Sequence, residues 1–75
     1  MAMTQHELIR NYLDDFDSIS PMEAFTDLGI TKLATRVSEM RRMGYAIDGE
    51  DETRMNRYGK PVTYKRYRWG EVAHV

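Results

Sequence analysis

The chain has 75 residues, of which 41% are hydrophobic, and it contains no cysteine. This length fits one domain with a modest core, because a domain this small buries only about 60% of the surface of its unfolded chain. Disulfides and thiolate metal sites are excluded, and no apolar run approaches the ~20 residues of a membrane span. The polar segment Met1–Glu7 lacks the charged start and apolar middle of a signal peptide, which predicts a cytoplasmic protein.

Charge is unevenly distributed along the chain. Residues 1–31 carry one basic and six acidic side chains, a net charge of −5, whereas residues 32–75 carry ten basic and six acidic side chains, a net charge of +4. Together these give the formal net charge of −1. A domain polarised in this way can present a basic face to a polyanion and an acidic face to solvent, although acids and bases can also separate by chance in a short chain.

A first helix is predicted over residues 4–15. Thr4 followed by Glu7 is the pattern of a capping box, in which each side chain satisfies a backbone N–H at the start of the helix. Apolar residues recur at the spacing of one buried helix face, at Leu8, Ile9, Tyr12, Leu13 and Phe16. The short segment 18–20 that follows is a candidate for one small strand.

A second helix is predicted over residues 21–28. Ser20 and Glu23 form another capping box, and Pro21 takes the first helical position, where its missing N–H does no harm. Gly29 supplies the left-handed residue that ends this helix. The next helix must therefore begin after a very short connection.

Thr31 is the predicted cap of a third helix over residues 32–43, which Gly44 closes. Its predicted buried stripe consists of Leu33, Ala34, Val37 and Met40. The polar residues outside that stripe are predicted to face solvent or a partner.

After the third helix the pattern changes to that of strands, and residues 45–69 are predicted to form a hairpin. The acidic stretch 49–53 is interpreted as turn-like, and residues 70–75 as a loose tail. In the return strand, Val62 and Tyr64 alternate on one face.

Tyr67 and Trp69 in the same return strand lie on the opposite parity to Val62 and Tyr64. Either a bulge shifts the register or both faces of the sheet are partly covered.

The order of helix, helix, tight turn, helix and hairpin predicts the fold class α+β. Two helices joined by a glycine-containing turn of this length are typical of the helix-turn-helix, and the hairpin that follows makes it winged. The predicted architecture is a three-helix bundle followed by a two-stranded antiparallel wing, with residues 18–20 as a candidate third short strand.

Several blocks of the sequence resemble a family of small winged helix-turn-helix domains common in phage and prophage proteins. The matching blocks are Ser20-Pro21-Met22-Glu23-Ala24, Leu28-Gly29-Ile30, Leu33-Ala34-Thr35-Arg36-Val37, Met40-Arg41, Gly44-Tyr45, Asn56, Gly59-Lys60, Tyr64 and Arg66-Tyr67-Arg68. They lie between residues 5 and 69. The resemblance implies the fold, a DNA-binding role and a mobile-element origin. Trp69 departs from the family pattern, in which a plain aliphatic residue is expected, and this departure can mark a contact surface.

The third helix is the candidate DNA-reading element, because in this motif residues near its N-terminus reach base edges in the major groove. The predicted contacts there are Thr31, Lys32, Thr35 and Arg36. Arg36 is the predicted main base contact, since its guanidinium matches the acceptor pair of guanine, while Arg42 is predicted to touch phosphate. The same charges would also suit an ordinary solvated helix face.

The hairpin is the second candidate, with a predicted DNA-contacting cluster of Arg54, Asn56, Arg57 and Lys60 at its tip. A basic wing can follow the phosphate backbone or enter the adjacent minor groove. The neighbouring acidic run 50–52 must then point away from DNA or pair with the arginines of the tip, and a solvated, neutral turn is the alternative. The basic and aromatic strand 65–69 could stack on single-stranded bases, but packing of the sheet onto the helices explains its aromatic residues as well.

Catalysis finds no support in the sequence. The two histidines, His6 and His74, lie near opposite termini, and no spaced ligand cluster or glycine-rich phosphate loop is present. We therefore predict no enzymatic activity, no metal and no cofactor.

The predicted function is binding of double-stranded DNA by a phage or prophage transcriptional regulator in the cytoplasm of a bacterial host. A dimer on two half-sites is expected to enlarge the small footprint, with the apolar strand edge or the first helix as its contact. The alternative is a protein-binding module that inhibits or recruits a host protein through the acidic first half.

Overall fold

The computed structural model describes residues 3–70, and most of the predicted tail, residues 71–75, lies outside them. Three helices and three strands follow in the order α1 Gln5–Phe16, β1 Ser18–Ile19, α2 Pro21–Leu28, α3 Leu33–Arg42, β2 Ile47–Met55 and β3 Pro61–Trp69. The α+β winged helix-turn-helix architecture is thereby confirmed. The longest helix has 12 residues, and no helix within residues 3–70 has the length and hydropathy that a bilayer crossing requires.

Both predicted capping boxes are present. The Thr4 hydroxyl accepts a hydrogen bond from the Glu7 amide, the Ser20 hydroxyl accepts one from the Glu23 amide, and each glutamate accepts in return from the backbone N–H of its cap residue. These bonds satisfy donors that a helix start leaves without partners. Gly29 ends α2 with a φ of 70°, a left-handed conformation that favours glycine.

The predicted cap of α3 is wrong. Lys32 occupies the N-cap position, and no side chain bonds the first amides of the helix. Thr31 is exposed one residue earlier. The helix therefore begins one residue later than predicted, with a lysine in place of a hydroxyl at its cap.

The sheet has the strand order β1-β3-β2, with both pairs antiparallel. The short strand β1 confirms the candidate strand at residues 18–20, since Ser18 pairs with Arg68 and Ile19 with Tyr67. The turn-like interpretation of residues 49–53 is wrong, because β2 runs straight through this acidic stretch. The stretch is held in the strand by basic residues opposite it on β3.

No bulge is needed to explain why aromatic residues lie on both faces of the return strand β3. The β2–β3 register is unbroken from Ile47↔Trp69 to Met55↔Pro61. Tyr67 packs into the core, while Tyr64 on the other face is half-buried. Both faces of the sheet are therefore partly covered, which confirms the second of the two predicted alternatives.

The core lies between the helices and the inner face of the sheet. Its buried hydrophobic residues are Ile9, Leu13, Ile19, Ala24, Ile30, Leu33, Val37, Met40, Ile47 and Tyr67. Two predicted core positions are wrong, since Phe16 is 65% exposed and Ala34 faces solvent. In so small a bundle each helix buries a narrow stripe, so residues at the margin of a periodic pattern remain in water.

Candidate nucleic-acid interface

The outer face of α3 is set by its buried stripe. Leu33, Val37 and Met40 point into the core, which turns the opposite side of the helix to solvent. The predicted contacts Thr31, Lys32, Thr35 and Arg42 are all exposed. A helix with this face open and no carboxylate in its first turn is available to a groove of DNA.

Arg36 occupies the flank of α3 beside α1, and it is only partly exposed. Its Nη1 lies 3.4 Å from Glu39 Oε1, an oxygen that also lies 2.8 Å from His6 Nε2. The hydrogen bond from His6, together with the charge of Arg36, holds the pKa of Glu39 below its ordinary value. The Nε of Arg36 is buried and has no hydrogen-bond partner among residues 3–70.

Arg41 joins the end of α3 to the sheet. Its Nε donates to the Ile47 carbonyl at 2.9 Å, and its guanidinium lies 5.9 Å from the centroid of the Tyr67 ring. These two contacts link the end of α3 to β2 and β3.

We define the wing tip as residues 54–60. Its cations Arg54, Arg57 and Lys60 are exposed, and within residues 3–70 none of them lies within 4.0 Å of a carboxylate. Asn56 has a structural position here, because its Oδ1 accepts from the amides of Tyr58 at 2.9 Å and Lys60 at 3.0 Å. The tip thus combines a braced turn with three unpaired positive charges.

We define the wing root as residues 50–52 of β2 and 65–68 of β3. Here every acidic side chain has a basic partner on the opposite strand. The shortest nitrogen–oxygen distances are 2.9 Å for Glu50–Arg68, 2.9 Å for Asp51–Lys65 and 2.8 Å for Glu52–Arg66. The acidic run therefore pairs with basic residues of β3 and not, as the sequence had suggested, with the arginines of the tip.

Arg66 is the centre of the network at the root. Its side chain is 15% exposed and pairs with Glu52 at 2.8 Å and Glu23 at 3.0 Å, and it also donates to Ser18 Oγ at 3.1 Å. The guanidinium and the Tyr64 hydroxyl, which donates to Glu52, lower the pKa of Glu52 to about 2. The paired carboxylates in turn raise the pKa of Arg66. Since Glu23 belongs to the capping box of α2, this cluster ties the wing to the helix-turn-helix.

The acidic end of the molecule has its own groove between α1 and α2. Its lining residues are Leu8, Asn11, Tyr12, Asp15, Phe16, Asp27 and Leu28. The Tyr12 hydroxyl donates to Asp27 at 2.6 Å, and this bond raises the pKa of Tyr12 to about 12. The exposed Phe16 ring lies 4.7 Å from that of Tyr12.

Trp69, the departure from the expected family pattern, is half-buried. Its Nε1 donates to Asp14 at 2.8 Å, and its ring stacks on Tyr45 at a centroid separation of 5.9 Å. Trp69 therefore fastens the end of β3 to α1. Together with buried Tyr67 and half-buried Tyr64, it supports packing as the role of the aromatic residues in β3.

The sequence interpretation missed the ladder of the wing root, although a signal for it was present. An acidic run at 50–52 and a basic run at 65–68 lie at similar distances from the turn residues Gly59 and Lys60. An antiparallel pairing centred on that turn places the two runs opposite each other. Assigning residues 49–53 to a turn concealed this relation.

Two further findings bear on the class of protein to which the chain belongs. No cluster of three His, Asp or Glu side chains within residues 3–70 is arranged to hold a metal ion. A family model described as a winged helix-turn-helix domain matches residues 4–71, whereas no curated protein and no solved structure matches the chain. Winged helix-turn-helix domains are a DNA-binding fold. The match spans nearly the whole chain, and the chain belongs to the winged helix-turn-helix domain family.

Proposed function

We propose that the chain binds double-stranded DNA with α3 in the major groove and the wing tip on the neighbouring backbone. We propose further that it does so as a transcriptional regulator of a phage or prophage, in the cytoplasm of the bacterial host. One observation carries the DNA proposal: Lys32, Arg42 and the tip cations are exposed and unpaired among residues 3–70, while the root cations are paired. Unpaired surface cations are those that can neutralise phosphates.

The proposed contacts on α3 divide by position. Thr31, Lys32, Thr35 and Arg36 lie near the start of the helix, where side chains reach base edges, and Arg42 lies near its end, where phosphate is the closer target. Arg36 must first leave Glu39, because the ion pair holds its guanidinium on the flank of the helix. We therefore assign Thr35 and Lys32 to the first contacts and Arg36 to a contact made as Glu39 releases it.

The proposed contacts on the wing are Arg54, Arg57 and Lys60, with Asn56 shaping the turn that presents them. Each cation that reaches a phosphate releases counterions, so affinity falls as salt rises. Cations of the root contribute less, because their charge is cancelled by Glu50, Asp51 and Glu52.

The test is binding of the purified chain to random-sequence duplex DNA across a salt series, followed by selection of preferred sites from the bound pool. We expect Lys32→Ala and Thr35→Ala to lower the affinity for selected sites about 10-fold each, on the basis of ~1–3 kcal/mol per base contact. Lys65→Ala serves as the matched control, because it removes a cation that is already paired. No binding at low salt, or equal binding by all four proteins, would contradict the proposal.

A homodimer on two half-sites is part of the proposal, since one domain covers only about 600–1,000 Å² of interface. Of the two edge strands, β1 has only two residues, and β2 is acidic and not apolar, with Asp48, Glu50, Asp51 and Glu52 along it. Antiparallel pairing of two such edges would oppose like charges. The helices are the better contact, and the stoichiometry on a duplex with two selected half-sites, measured by sedimentation, tests whether two copies bind.

A second candidate function is binding to a host protein, and the groove between α1 and α2 favours it. Phe16 is 65% exposed beside Tyr12, and Asp15 and Asp27 line the same groove. This combination fits a basic segment with an apolar anchor. A host protein retained by wild type and by Arg57→Ala, but lost with Phe16→Ala, would support this function, provided that Phe16→Ala binds DNA as wild type does.

A further inference from the structure

Tyr58 stands out at the wing tip because its side chain is 84% exposed. No other large hydrophobic residue between positions 3 and 70 is exposed to this degree. An aromatic ring left in water contributes nothing to the core, and its burial against a partner would be favourable. The Tyr58 ring is therefore available for a contact outside the fold.

The backbone of Tyr58 is held rigidly by the turn. Its amide donates to Asn56 Oδ1 at 2.9 Å, and the same oxygen accepts from the Lys60 amide at 3.0 Å. Two backbone hydrogen bonds close the turn. The Asn56 amide donates to the Lys60 carbonyl at 2.8 Å, and the Gly59 amide donates to the Asn56 carbonyl at 3.0 Å. A braced turn presents the ring at little further loss of conformational entropy on binding.

The surroundings of the ring are basic. Arg54, Arg57 and Lys60 share the tip with it, and none of the three is paired with a carboxylate of residues 3–70. An exposed aromatic ring in the same turn as unpaired cations matches a polyanion that has an apolar surface between its charged edges. The minor groove of duplex DNA is such a surface, with sugars as its walls and phosphates along its rims.

We propose that Tyr58 enters the minor groove beside the site occupied by α3, with its ring against the sugars and its hydroxyl donating to an acceptor on a base edge. The inference rests on the proposed DNA binding and names a further contact within it. A·T and T·A pairs both offer acceptors in this groove, whereas G·C adds an amino group that obstructs the approach. Tyr58 thus gives the wing a preference for A·T-rich sequence.

The test compares Tyr58→Ala, Tyr58→Phe and Arg57→Ala on duplexes that carry a selected α3 site flanked by either A·T or G·C pairs. The affinity of each protein is measured across a salt series. We expect Tyr58→Ala to bind A·T-flanked DNA on the order of 10-fold more weakly than wild type, with the salt slope unchanged because the ring is uncharged. Arg57→Ala is expected to reduce the slope by about 0.9.

Tyr58→Phe separates the ring from its hydroxyl. We expect this variant to keep most of the affinity and to reduce, without abolishing, the preference for A·T over G·C flanks, because the amino group of G·C still obstructs the ring. Thermal unfolding of all variants should match wild type, since both residues are exposed. Wild-type affinity in Tyr58→Ala, or an unchanged flank preference in both tyrosine variants, would overturn the inference and leave the DNA proposal intact. Failure of wild type to bind duplex DNA at low salt would overturn both.

Discussion

The root and the tip of the wing carry similar kinds of side chain and differ in what those side chains do. At the root, Glu50, Asp51 and Glu52 cancel Arg68, Lys65 and Arg66 across the two strands. At the tip, Arg54, Arg57 and Lys60 have no such partners among residues 3–70. A count of basic residues does not distinguish the two regions, but the register of the hairpin does. The position of carboxylates opposite each base decides which charges remain for DNA.

The largest effect, on the stability of the fold, is expected from removing the Arg66 side chain at the wing root. Arg66→Ala leaves Glu23 and Glu52 without their shared cation and disconnects the wing from the start of α2. We expect a loss of ~2 kcal/mol in the free energy of unfolding, the usual range for hydrogen bonds to charged groups that are mostly buried. Thermal unfolding followed by circular dichroism measures it.

Lys65→Ala is the control for that experiment. Its ion pair with Asp51 is exposed, and such pairs contribute about 0–1 kcal/mol to stability. A destabilisation by Arg66→Ala no larger than that of Lys65→Ala would show that the Arg66 network does not hold the wing in place.

The next effect concerns the geometry of the tip. Asn56→Ala removes the acceptor for the Tyr58 and Lys60 amides, which we expect to cost ~1 kcal/mol locally. Hydrogen exchange of these two amides should accelerate in Asn56→Ala and stay slow in Asn56→Asp, which keeps an acceptor at the same place. Equal exchange rates in the two variants would mean that the side chain does not brace the turn.

A smaller effect, on DNA affinity, is expected when two carboxylates of the wing root are neutralised. Glu50→Gln combined with Asp51→Asn releases Arg68 and Lys65 from their partners. We expect duplex DNA to bind about 3-fold more tightly at low salt, because two further cations then contribute to the field around the wing.

The matched control for this change is Asp15→Asn combined with Asp27→Asn. It alters the net charge by the same amount in the groove between α1 and α2. An equal gain in affinity in the control would show that only net charge matters, and that the ladder at the root does not shape the interface.

The smallest effect is the pH dependence that Glu52 gives to the stability of the fold, which appears only at acid pH. Its pKa is lowered from 4.5 to about 2 in the folded protein by Arg66 and Tyr64. A carboxyl with a depressed pKa stabilises the fold fully above its unfolded value and loses this contribution as pH falls through the folded value. The stability difference between wild type and Glu52→Gln should therefore be constant above pH 4.5 and shrink towards pH 2. Denaturant titrations at several pH values measure it, and a difference that is unchanged at low pH would contradict the assignment.

Local chemistry made much of the fold predictable from the sequence. The Ser20 and Thr4 caps and the Gly29 terminus depend on neighbours within a few residues, so their patterns were sufficient. The periodic pattern of α3 was less informative at its margin, where Ala34 was predicted to be buried and is exposed. The spacing of apolar residues shows which way the buried face of a helix points, but it does not show how wide that face is.

The candidate site was predictable in part for the same reason. The exposed position of Lys32 and of the tip follows from their place in the motif. The Arg36–Glu39 pair is local, three residues apart within α3, but the contact of His6 with Glu39 depends on the packing of α1 against α3 and joins residues 33 apart in sequence. The network of Arg66 with Glu23 spans 43 residues and required the three-dimensional arrangement.

The difference between tip and root is tested most directly by the salt dependence of DNA binding in two single variants, Arg57→Ala and Lys65→Ala. Both remove one cation from the wing. We expect Arg57→Ala to lower the slope of log affinity against log salt by about 0.9, the value for one lost phosphate contact, and Lys65→Ala to leave it unchanged. Equal slopes for the two variants, or a reduction only in Lys65→Ala, would contradict the assignment of DNA contacts to the tip.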